Sequence, residues 1–240
     1  MLDDASIERV LVVTAHPDDV DFGASGTIAT WTSAGVEVTY CVITDGDAGG
    51  FDPDVPRSEI PGIRRAEQTA AAAAVGVADV RFLGYPDGAL VVSQELRADI
   101  SRMIRQVRPQ RLVQQSPERN WERLGASHPD HLAAGEAAIN AVYPDARNPF
   151  VHTHLVAEGL EAWTVPEVWV MGGPKPNQWV DITDHFPRKL AALDAHVSQT
   201  GHLEAGALEQ RLRHWGGLTA AAAGLPEGRL AEAFMIVDTP

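Results

Sequence analysis

The sequence has little cysteine and little positive charge for its 240 residues. The single cysteine, Cys41, excludes a disulfide framework within the chain, so we expect a reducing, cytoplasmic location. There are 19 lysine and arginine residues against 33 acidic residues, which gives a net charge of −14. Because nucleic acids and anionic membranes bind basic surfaces, neither is an expected partner.

Long hydrophobic runs are also absent from the sequence. No apolar run reaches the ~18 residues that a membrane-spanning helix requires, and the acidic N-terminus shows no signal-peptide pattern, so we expect no membrane span. Hydrophobic residues nevertheless make up 45% of the sequence, which is sufficient for a sizeable core. A chain of this length fits one α/β domain, and we expect residues 1–240 to form it.

Strand-like and helix-like segments alternate along the first two-thirds of the sequence. The predicted strands cover residues 9–14, 36–44, 80–83, 111–115, 165–171, 179–182 and 234–237. The predicted helices cover residues 23–34, 63–75, 94–107, 129–142, 186–198 and 205–223. This order predicts an α/β fold with a mostly parallel, Rossmann-like sheet and helices on both faces. Segment 46–61 is rich in Gly, Asp and Pro, and such long loops either form active-site lids or are disordered.

Two polar motifs interrupt this pattern. The first, His16-Pro17-Asp18-Asp19, directly follows the first predicted strand, at the edge of an α/β sheet where ligands bind. The second, His128-Pro129-Asp130-His131, lies at the start of a predicted helix. Histidine and carboxylate together form a ligand set for first-row metals, so the two motifs predict one metal site that the fold assembles. Taken alone, each motif also fits a local role, as a turn or as a helix N-terminus.

Neighbouring residues extend these motifs into a family pattern. Ala15-His16-Pro17-Asp18-Asp19-Val20-Asp21 matches A-H-P-D-D-x-E with Asp21 in place of glutamate, and residues 23–27 match G-x-G-G-T with Ser25 in place of glycine. With these motifs the chain resembles the LmbE-like, or PIG-L, family of zinc-dependent N-acetylglucosamine deacetylases. The other matches follow in family order: Thr44-Asp45-Gly46, Arg64-Arg65-Ala66-Glu67, Asp87-Gly88, His128-Pro129-Asp130-His131, Asp181-Ile182-Thr183, Lys189, Ala192, His196, Ser198 and Gln199.

The resemblance implies an LmbE-like fold and specific roles for the motif residues. It implies a zinc site with three protein ligands, namely His16, Asp19 and His131. It makes Asp18 the general base and His128 the oxyanion stabiliser or acid, with Asp130 fixing the tautomer of His128 by a hydrogen bond. Because two histidines and one carboxylate also suit ferrous iron, Fe²⁺ is a second candidate beside Zn²⁺.

Two residues are expected to contact the substrate. Arg64 resembles the family residue that binds hydroxyl or phosphate groups, and its alternative is an ion pair with Glu67 on the same helix. Asp87 is expected to contact sugar hydroxyls, and its alternative is a turn-forming Asp-Gly pair. His196, a lone histidine in a predicted helix, is interpreted as structural.

The implied activity is hydrolysis of an N-acyl amide, in the first place N-acetyl, on a GlcNAc-type amino sugar or conjugate, with release of acetate and a free amine. The expected partner is a small-molecule amino sugar, and a homo-oligomer is left open because family members often associate. One alternative is a sugar-nucleotide-binding or glycosyl-transferring domain, in which the turn at residues 23–27 would cradle phosphate. The other is a non-catalytic metal-binding homologue, which the departures at Asp21 and Ser25 favour.

Overall fold

The computed structural model describes residues 2–239, which build one seven-stranded sheet. Its strands in chain order are β1 (Arg9–Thr14), β2 (Glu37–Thr44), β3 (Asp79–Tyr85), β4 (Arg111–Gln115), β5 (Glu167–Met171), β6 (Gln178–Asp181) and β7 (Ala231–Asp238). In space their order is β3-β2-β1-β4-β5-β7-β6. The pairs from β3 to β5 are parallel, and β7 runs antiparallel to its neighbours β5 and β6. The predicted α/β fold with a mostly parallel sheet is confirmed.

Strand β1 shows why the sheet is covered on both faces. Successive side chains of a strand point to opposite faces, so Val10 and Val12 pack into one apolar cluster while Leu11 and Val13 pack into another. All four side chains are at most 1% exposed. A continuous apolar run therefore forms a central parallel strand here, rather than a strand with one face in water.

Helices cover both faces of the sheet, as predicted. They are α1 (Asp19–Gly23), α2 (Ser25–Ser33), α3 (Ile60–Ala74), α4 (Gln94–Val107), α5 (Pro129–Asn140), α6 (Thr153–Ala157), α7 (Phe186–Asp194), α8 (Val197–Thr200) and α9 (Ala207–Ala222). Apolar residues of α2, α3 and α7 pack on one face, and those of α4 and α5 pack on the other. Among residues 2–239, none of the helices combines the length and the apolar character that a membrane crossing requires.

Two predicted helices are interrupted in the structure. The predicted helix at residues 23–34 is replaced by α1 and α2, which meet at Ala24, whose φ/ψ of −146°/−4° is not helical. A second helix start is favourable there because the free amides of Gly26 and Thr27 donate to the buried carboxylate of Glu232. The predicted helix at residues 186–198 likewise divides into α7 and α8.

The order of the strands places both polar motifs together. The chain builds β2 and β3 on one side of β1 and then crosses to β4 on the other side. At such a point an open α/β sheet forms a crevice at the carboxyl ends of its strands. The first motif follows β1, and the second motif opens α5 after β4, so both lie at this crevice.

Candidate metal centre and active site

Three predicted metal ligands converge at the crevice. His16 Nδ1 lies 3.3 Å from His131 Nε2 and 3.3 Å from Asp19 Oδ2, and His131 Nε2 lies 2.9 Å from Asp19 Oδ1. Two nitrogen or oxygen ligands bound at ~2.1 Å to a tetrahedral metal lie about 3.4 Å apart. The donor atoms therefore have the chemistry and the spacing that a first-row divalent ion requires.

The far side of the His16 ring is held by two carboxylates. His16 Nε2 lies 3.0 Å from Asp87 Oδ1 and 3.2 Å from Asp130 Oδ2. Asp130 is itself held by the backbone amides of Gly88 and Leu90, at 2.7 Å and 3.2 Å. Because carboxylates only accept hydrogen bonds, Nε2 keeps a ring proton, so Nδ1 is the nitrogen that would bind a metal after losing its own proton.

These contacts correct one expectation for the site. The Asp130 carboxylate contacts His16 rather than His128, because the loop amides after β3 hold it there. His128 Nδ1 instead accepts a hydrogen bond from the backbone amide of Asp130, at 3.2 Å, as the N-cap of α5. The Asp87 carboxylate also lies against His16, with its side chain 9% exposed, and its contact with sugar hydroxyls stays a prediction.

The electrostatics of the cluster favour positive charge. Burial by itself lowers the pKa of His16, but hydrogen bonds to Asp19 and Asp87 outweigh it and raise that pKa to about 11. Burial opposes ionisation of Asp19, yet His131 and His16 hold the pKa of Asp19 well below its usual range. Asp19 likewise outweighs the burial of His131 and raises the pKa of that imidazole. A divalent cation bound here would displace the protons that the neighbouring carboxylates hold on the imidazoles of His16 and His131.

The affinity for Zn²⁺ is expected to fall as the pH falls. His16 and His131 have raised pKa values, so protons compete with the metal for both rings below those pKa values. We expect a loss of about tenfold in affinity per pH unit for each proton displaced. Competition titrations against a chelator of known proton affinity measure it, and an affinity independent of pH would contradict this charge arrangement.

Asp18 lies beside the donors in an uncommon backbone conformation. Its φ of 90° is in the left-handed region, which is strained for a residue with a side chain and persists where the surroundings enforce it. Burial raises the pKa of its carboxyl group to about 6, partly opposed by the Arg64 guanidinium. Arg64 Nη2 lies 3.0 Å from Asp18 Oδ2. A carboxylate with this pKa has the basicity that proton transfer near neutral pH requires.

Arg64 connects two loops of the crevice, the one after β1 and the one after β2. Besides Asp18, its guanidinium donates to the carbonyl oxygens of Pro17 and Gly46. Gly46 has a φ of +61°, and a Cβ added there would lie 2.8 Å from Arg64 Nη1, so glycine lets the loop approach. The alternative Arg64–Glu67 pair does not describe this structure, since Arg64 pairs with Asp18 and Glu67 accepts from Ser198. Arg64 is 3% exposed, so its guanidinium is a buried part of the wall of the site.

His128 is the exposed member of the histidine cluster. Its ring meets the His16 ring edge-on, with the centroids 4.9 Å apart. The ring nitrogens of His16, His128 and His131 lie close enough to form one group of potential metal donors. Burial and the two neighbouring imidazoles lower the pKa of His128, so it is neutral near pH 7. Since Nδ1 accepts from Asp130, the proton sits on Nε2, and His128 presents a neutral donor at the mouth of the site.

Three buried residues behind Asp18 escaped the sequence-based reasoning as a group. Gln68 accepts from the Asp18 amide at 2.7 Å and donates to Asp21 Oδ2 at 2.9 Å, and His196 Nε2 lies 2.8 Å from the same oxygen. His196 thus lies behind Asp18 rather than among the metal donors. The only sequence signal for Gln68 was its position on α3, one helical turn after Arg64 and on the same face of the helix.

Ser25, the other departure from the family pattern, is buried and donates to the Asp21 carbonyl at 2.7 Å.

The sheet, the crevice and the donor cluster define an α/β protein with a candidate catalytic metal centre at the carboxyl ends of its strands. Residues 11–142, more than half of the chain, match the PIG-L family, described as GlcNAc-PI de-N-acetylase. The chain belongs to this family, and the resemblance carried by its motifs is confirmed.

Relatives and solved structures agree with this assignment. The chain is 34% identical over 193 residues to diacetylchitobiose deacetylase of Thermococcus kodakarensis, covering 80% of this chain and 70% of the relative. It is 37% identical over 199 residues to a probable N-acetyl-alpha-D-glucosaminyl L-malate deacetylase 2 of Bacillus cereus, covering 80% and 84%. The structure of N,N'-diacetylchitobiose deacetylase from Pyrococcus horikoshii superposes with a TM-score of 0.89 at 31% identity, covering 98% of this chain and 85% of that one.

Proposed function

We propose that this protein is a metal-dependent deacetylase that hydrolyses the N-acetyl amide of a GlcNAc-type amino sugar, releasing acetate and the free amine. The observation that carries the proposal is the convergence of His16, Asp19 and His131 at the crevice. Asp18, which precedes Asp19, pairs with Arg64 in the same crevice. The names of the relatives support the substrate class, since they are deacetylases of diacetylchitobiose and of GlcNAc joined to malate.

The metal is proposed to be zinc, with ferrous iron as the alternative. The chain's own residues that would hold it are His16, Asp19 and His131, whose donor atoms have the spacing of a tetrahedral site. When bound, such an ion supplies Lewis-acid polarisation of the amide carbonyl and acidifies water. Asp87 and Asp130 keep His16 in the tautomer that the centre needs.

The protein's own groups handle the protons of the reaction. Asp18 takes a proton from the attacking water and returns it to the departing amine, and Arg64 orients its carboxylate. His128 donates its Nε2 proton as a hydrogen bond to the carbonyl oxygen as negative charge develops there. The amide of Asp130 fixes this tautomer of His128, which is the role that the sequence assigned to the Asp130 side chain.

His128→Ala is expected to lower kcat for acetate release by about 10²–10³-fold, since this is the usual cost of losing one oxyanion donor. Most of the bound metal is retained, because His16, Asp19 and His131 remain. Steady-state kinetics and metal analysis on the same preparation measure both quantities. A variant with the parent's kcat would assign the oxyanion to another donor.

The proposal as a whole is tested by acetate release from GlcNAc and several GlcNAc conjugates, with metal content determined on the same sample. Release that a chelator abolishes and added zinc restores is the expected result. One bound metal per chain without release from any conjugate would move the search to other amides. A preparation without bound metal that still releases acetate would overturn the metal-dependent mechanism.

The phosphate-cradle alternative is disfavoured by the contacts at α2. The amides of Gly26 and Thr27, which would bind phosphate, donate to Glu232 at 3.0 Å and 2.8 Å. Lys189 pairs with the same carboxylate at 2.7 Å, so this helix start already holds its anion. The departures at Asp21 and Ser25 do not support a non-catalytic homologue, because both residues are accommodated with hydrogen bonds in the core.

We also propose that residues 1–240 form one domain that acts in the cytoplasm. Cys41 is a free thiol buried in the core, which agrees with a reducing location. A homo-oligomer is proposed as well, and sedimentation analysis of the purified protein tests it.

A further inference from the structure

The general base is held from behind by a buried hydrogen-bonded chain, which we call the Gln68 chain and which consists of Gln68, Asp21 and His196. Gln68 Oε1 accepts the Asp18 amide proton at 2.7 Å, and Gln68 Nε2 donates to Asp21 Oδ2 at 2.9 Å. His196 Nε2 lies 2.8 Å from that carboxylate oxygen. All three side chains are fully buried, at 0% exposure.

The order of donors and acceptors in this chain has a physical cause. The side-chain amide of a glutamine can point its oxygen either way, and only the oxygen accepts from the Asp18 amide. The carboxylate of Asp21 accepts but does not donate, so it selects the orientation in which Nε2 of Gln68 faces Asp21. The oxygen of Gln68 is thereby directed at Asp18, whose left-handed backbone needs an external partner.

We propose that Gln68 and Asp21 are positioning residues that hold Asp18 in the left-handed conformation from which its carboxylate faces the metal donors. This inference rests on the proposed function for its kinetic consequence. Its structural part does not, because the contact joins a side chain to a backbone amide and none of the three residues of the Gln68 chain is a proposed metal ligand.

Variants that exchange the hydrogen-bond donor and acceptor between positions 68 and 21 test the proposal. Gln68→Ala is expected to lower kcat by about 10–100-fold, because small displacements of a reacting group are this costly, with KM changed less than about threefold and the metal retained. Gln68→Glu alone sets two carboxylates face to face and is expected to lose a similar factor. Combined with Asp21→Asn, the new amide donates to the new carboxylate, which still accepts from Asp18, so most of kcat returns.

His196 can still form its hydrogen bond to position 21 in the Gln68→Glu/Asp21→Asn double variant. Its Nδ1 has no hydrogen-bond partner among residues 2–239, so the ring can change tautomer and let Nε2 accept from the amide introduced at position 21. Thr69→Ala, an exposed neighbour on α3, is the matched control and is expected to keep the parent's kinetics. Amide hydrogen exchange at Asp18 provides a readout without activity, expected to be slow in the parent and faster in Gln68→Ala.

Parent-like kcat and slow exchange in Gln68→Ala would overturn the proposal. So would a double variant that is no better than Gln68→Glu while unfolding at the parent's temperature. Loss of metal in Gln68→Ala would show that Gln68 supports the ligands rather than Asp18. If the parent hydrolyses no amide, the proposed function fails, and the exchange measurement still decides whether Gln68 holds Asp18.

An independent observation concerns a pocket of about 450 Å³ beside Arg64. Three large apolar side chains that remain exposed, Phe51, Ile63 and Val197, line it together. Phe51 is 61% exposed, and its ring lies 3.7 Å from that of His202, centroid to centroid. Clustered exposed apolar side chains in a concave site are typical of ligand or partner binding.

The pocket adjoins Arg64, which contacts the general base of the active site. Ile63, on its wall, precedes Arg64 on α3, and Arg64 contacts Asp18. Gly49, on the opposite wall, approaches Arg64 so closely that an added Cβ would lie 2.4 Å from Nη1. We infer that this pocket binds an apolar, ring-bearing group attached to the amino sugar, an inference that rests on the proposed function and narrows its substrate class.

Two glycosides of GlcNAc test this second inference, one phenyl and one methyl. Burying a phenyl ring is expected to lower KM about tenfold relative to the methyl glycoside, and Phe51→Ala is expected to remove most of that difference. Phe150→Ala changes another exposed phenylalanine outside the pocket and is expected to preserve the ratio. Equal KM values in the parent, or a ratio unaffected by Phe51→Ala, would overturn the inference.

Two further outcomes would show either that the proposed function fails or that the pocket is an interface between two copies of the chain. If neither glycoside is hydrolysed, the proposed function fails, and calorimetric binding of the phenyl glycoside to the parent and to Phe51→Ala still tests the pocket. If the parent forms a dimer that Phe51→Ala dissociates, a second copy of this chain covers the pocket, and the ligand assignment is wrong.

Discussion

Asp18→Asn is expected to lower kcat for deacetylation by about 10²–10⁴-fold, the range in which a general acid–base residue contributes. The amide keeps the shape of the carboxylate and still accepts a hydrogen bond from Arg64, but it cannot take a proton from water. KM is expected to change little, and the metal content is expected to stay that of the parent, because Asp18 is not among the three converging ligands. Steady-state kinetics with metal analysis on one preparation measure all three.

Asp79→Asn is the matched control for this variant. Asp79 is also an aspartate paired with an arginine, Arg81, at 2.7 Å, but it lies at the amino end of β3, away from the crevice. The same chemical change there is expected to leave kcat within about twofold, since exposed ion pairs contribute little. Retention of parent activity in Asp18→Asn would reject Asp18 as the base, whereas equal losses in both variants would point to a general loss of structure.

His131→Ala is expected to abolish metal retention and activity together. The substitution removes one of three protein ligands, and we expect a loss of affinity beyond the roughly 10–100-fold that follows when a residue behind a ligand is lost. Asp87→Asn and Asp130→Asn, which alter the carboxylates behind His16, are expected to fall in that 10–100-fold range. Metal analysis after dialysis and chelator competition measure these affinities, with the largest loss expected for His131→Ala and smaller losses for Asp87→Asn and Asp130→Asn.

Thermal unfolding provides a second readout of the same site. A ligand that binds only the folded protein raises its stability, so a chelator is expected to lower the Tm of the parent but not that of His131→Ala. His154→Ala, which removes an exposed histidine on α6, is expected to behave as the parent. Parent-like metal content in His131→Ala would show that the other side chains hold the ion without it.

The two donor motifs could be predicted from the sequence because each is short and lies at the end of a readable element. The resemblance to the family then implied which of their residues are the metal ligands. His16 and Asp19 follow a strand whose apolar run identifies it, and His131 lies in the first turn of a helix marked by Pro129. The general rule that ligands bind at the carboxyl ends of parallel strands then brings the two motifs together.

The partners of these residues could not be predicted in the same way. The Asp130 carboxylate turns to His16 because amides of the loop after β3, at Gly88 and Leu90, hold it there. The positions of these amides depend on how β3 packs beside β2, which local sequence does not describe. Gln68 belongs to no recognised motif. Its proposed role follows from its hydrogen bonds to the Asp18 amide and to the Asp21 carboxylate, which only the folded chain brings together.

The fold class, the order of strands and helices and the two donor motifs can be read from the sequence alone. These properties follow from periodicity and from neighbours along the chain, which act over a few residues. Tertiary contacts set the break between α1 and α2, the contact of Asp87 with His16 and the left-handed conformation of Asp18. Each of these depends on a contact between distant segments: Glu232 with α2, the loop after β3 with the loop after β1, and α3 with the first motif. Such contacts exist only once the sheet and helices have packed.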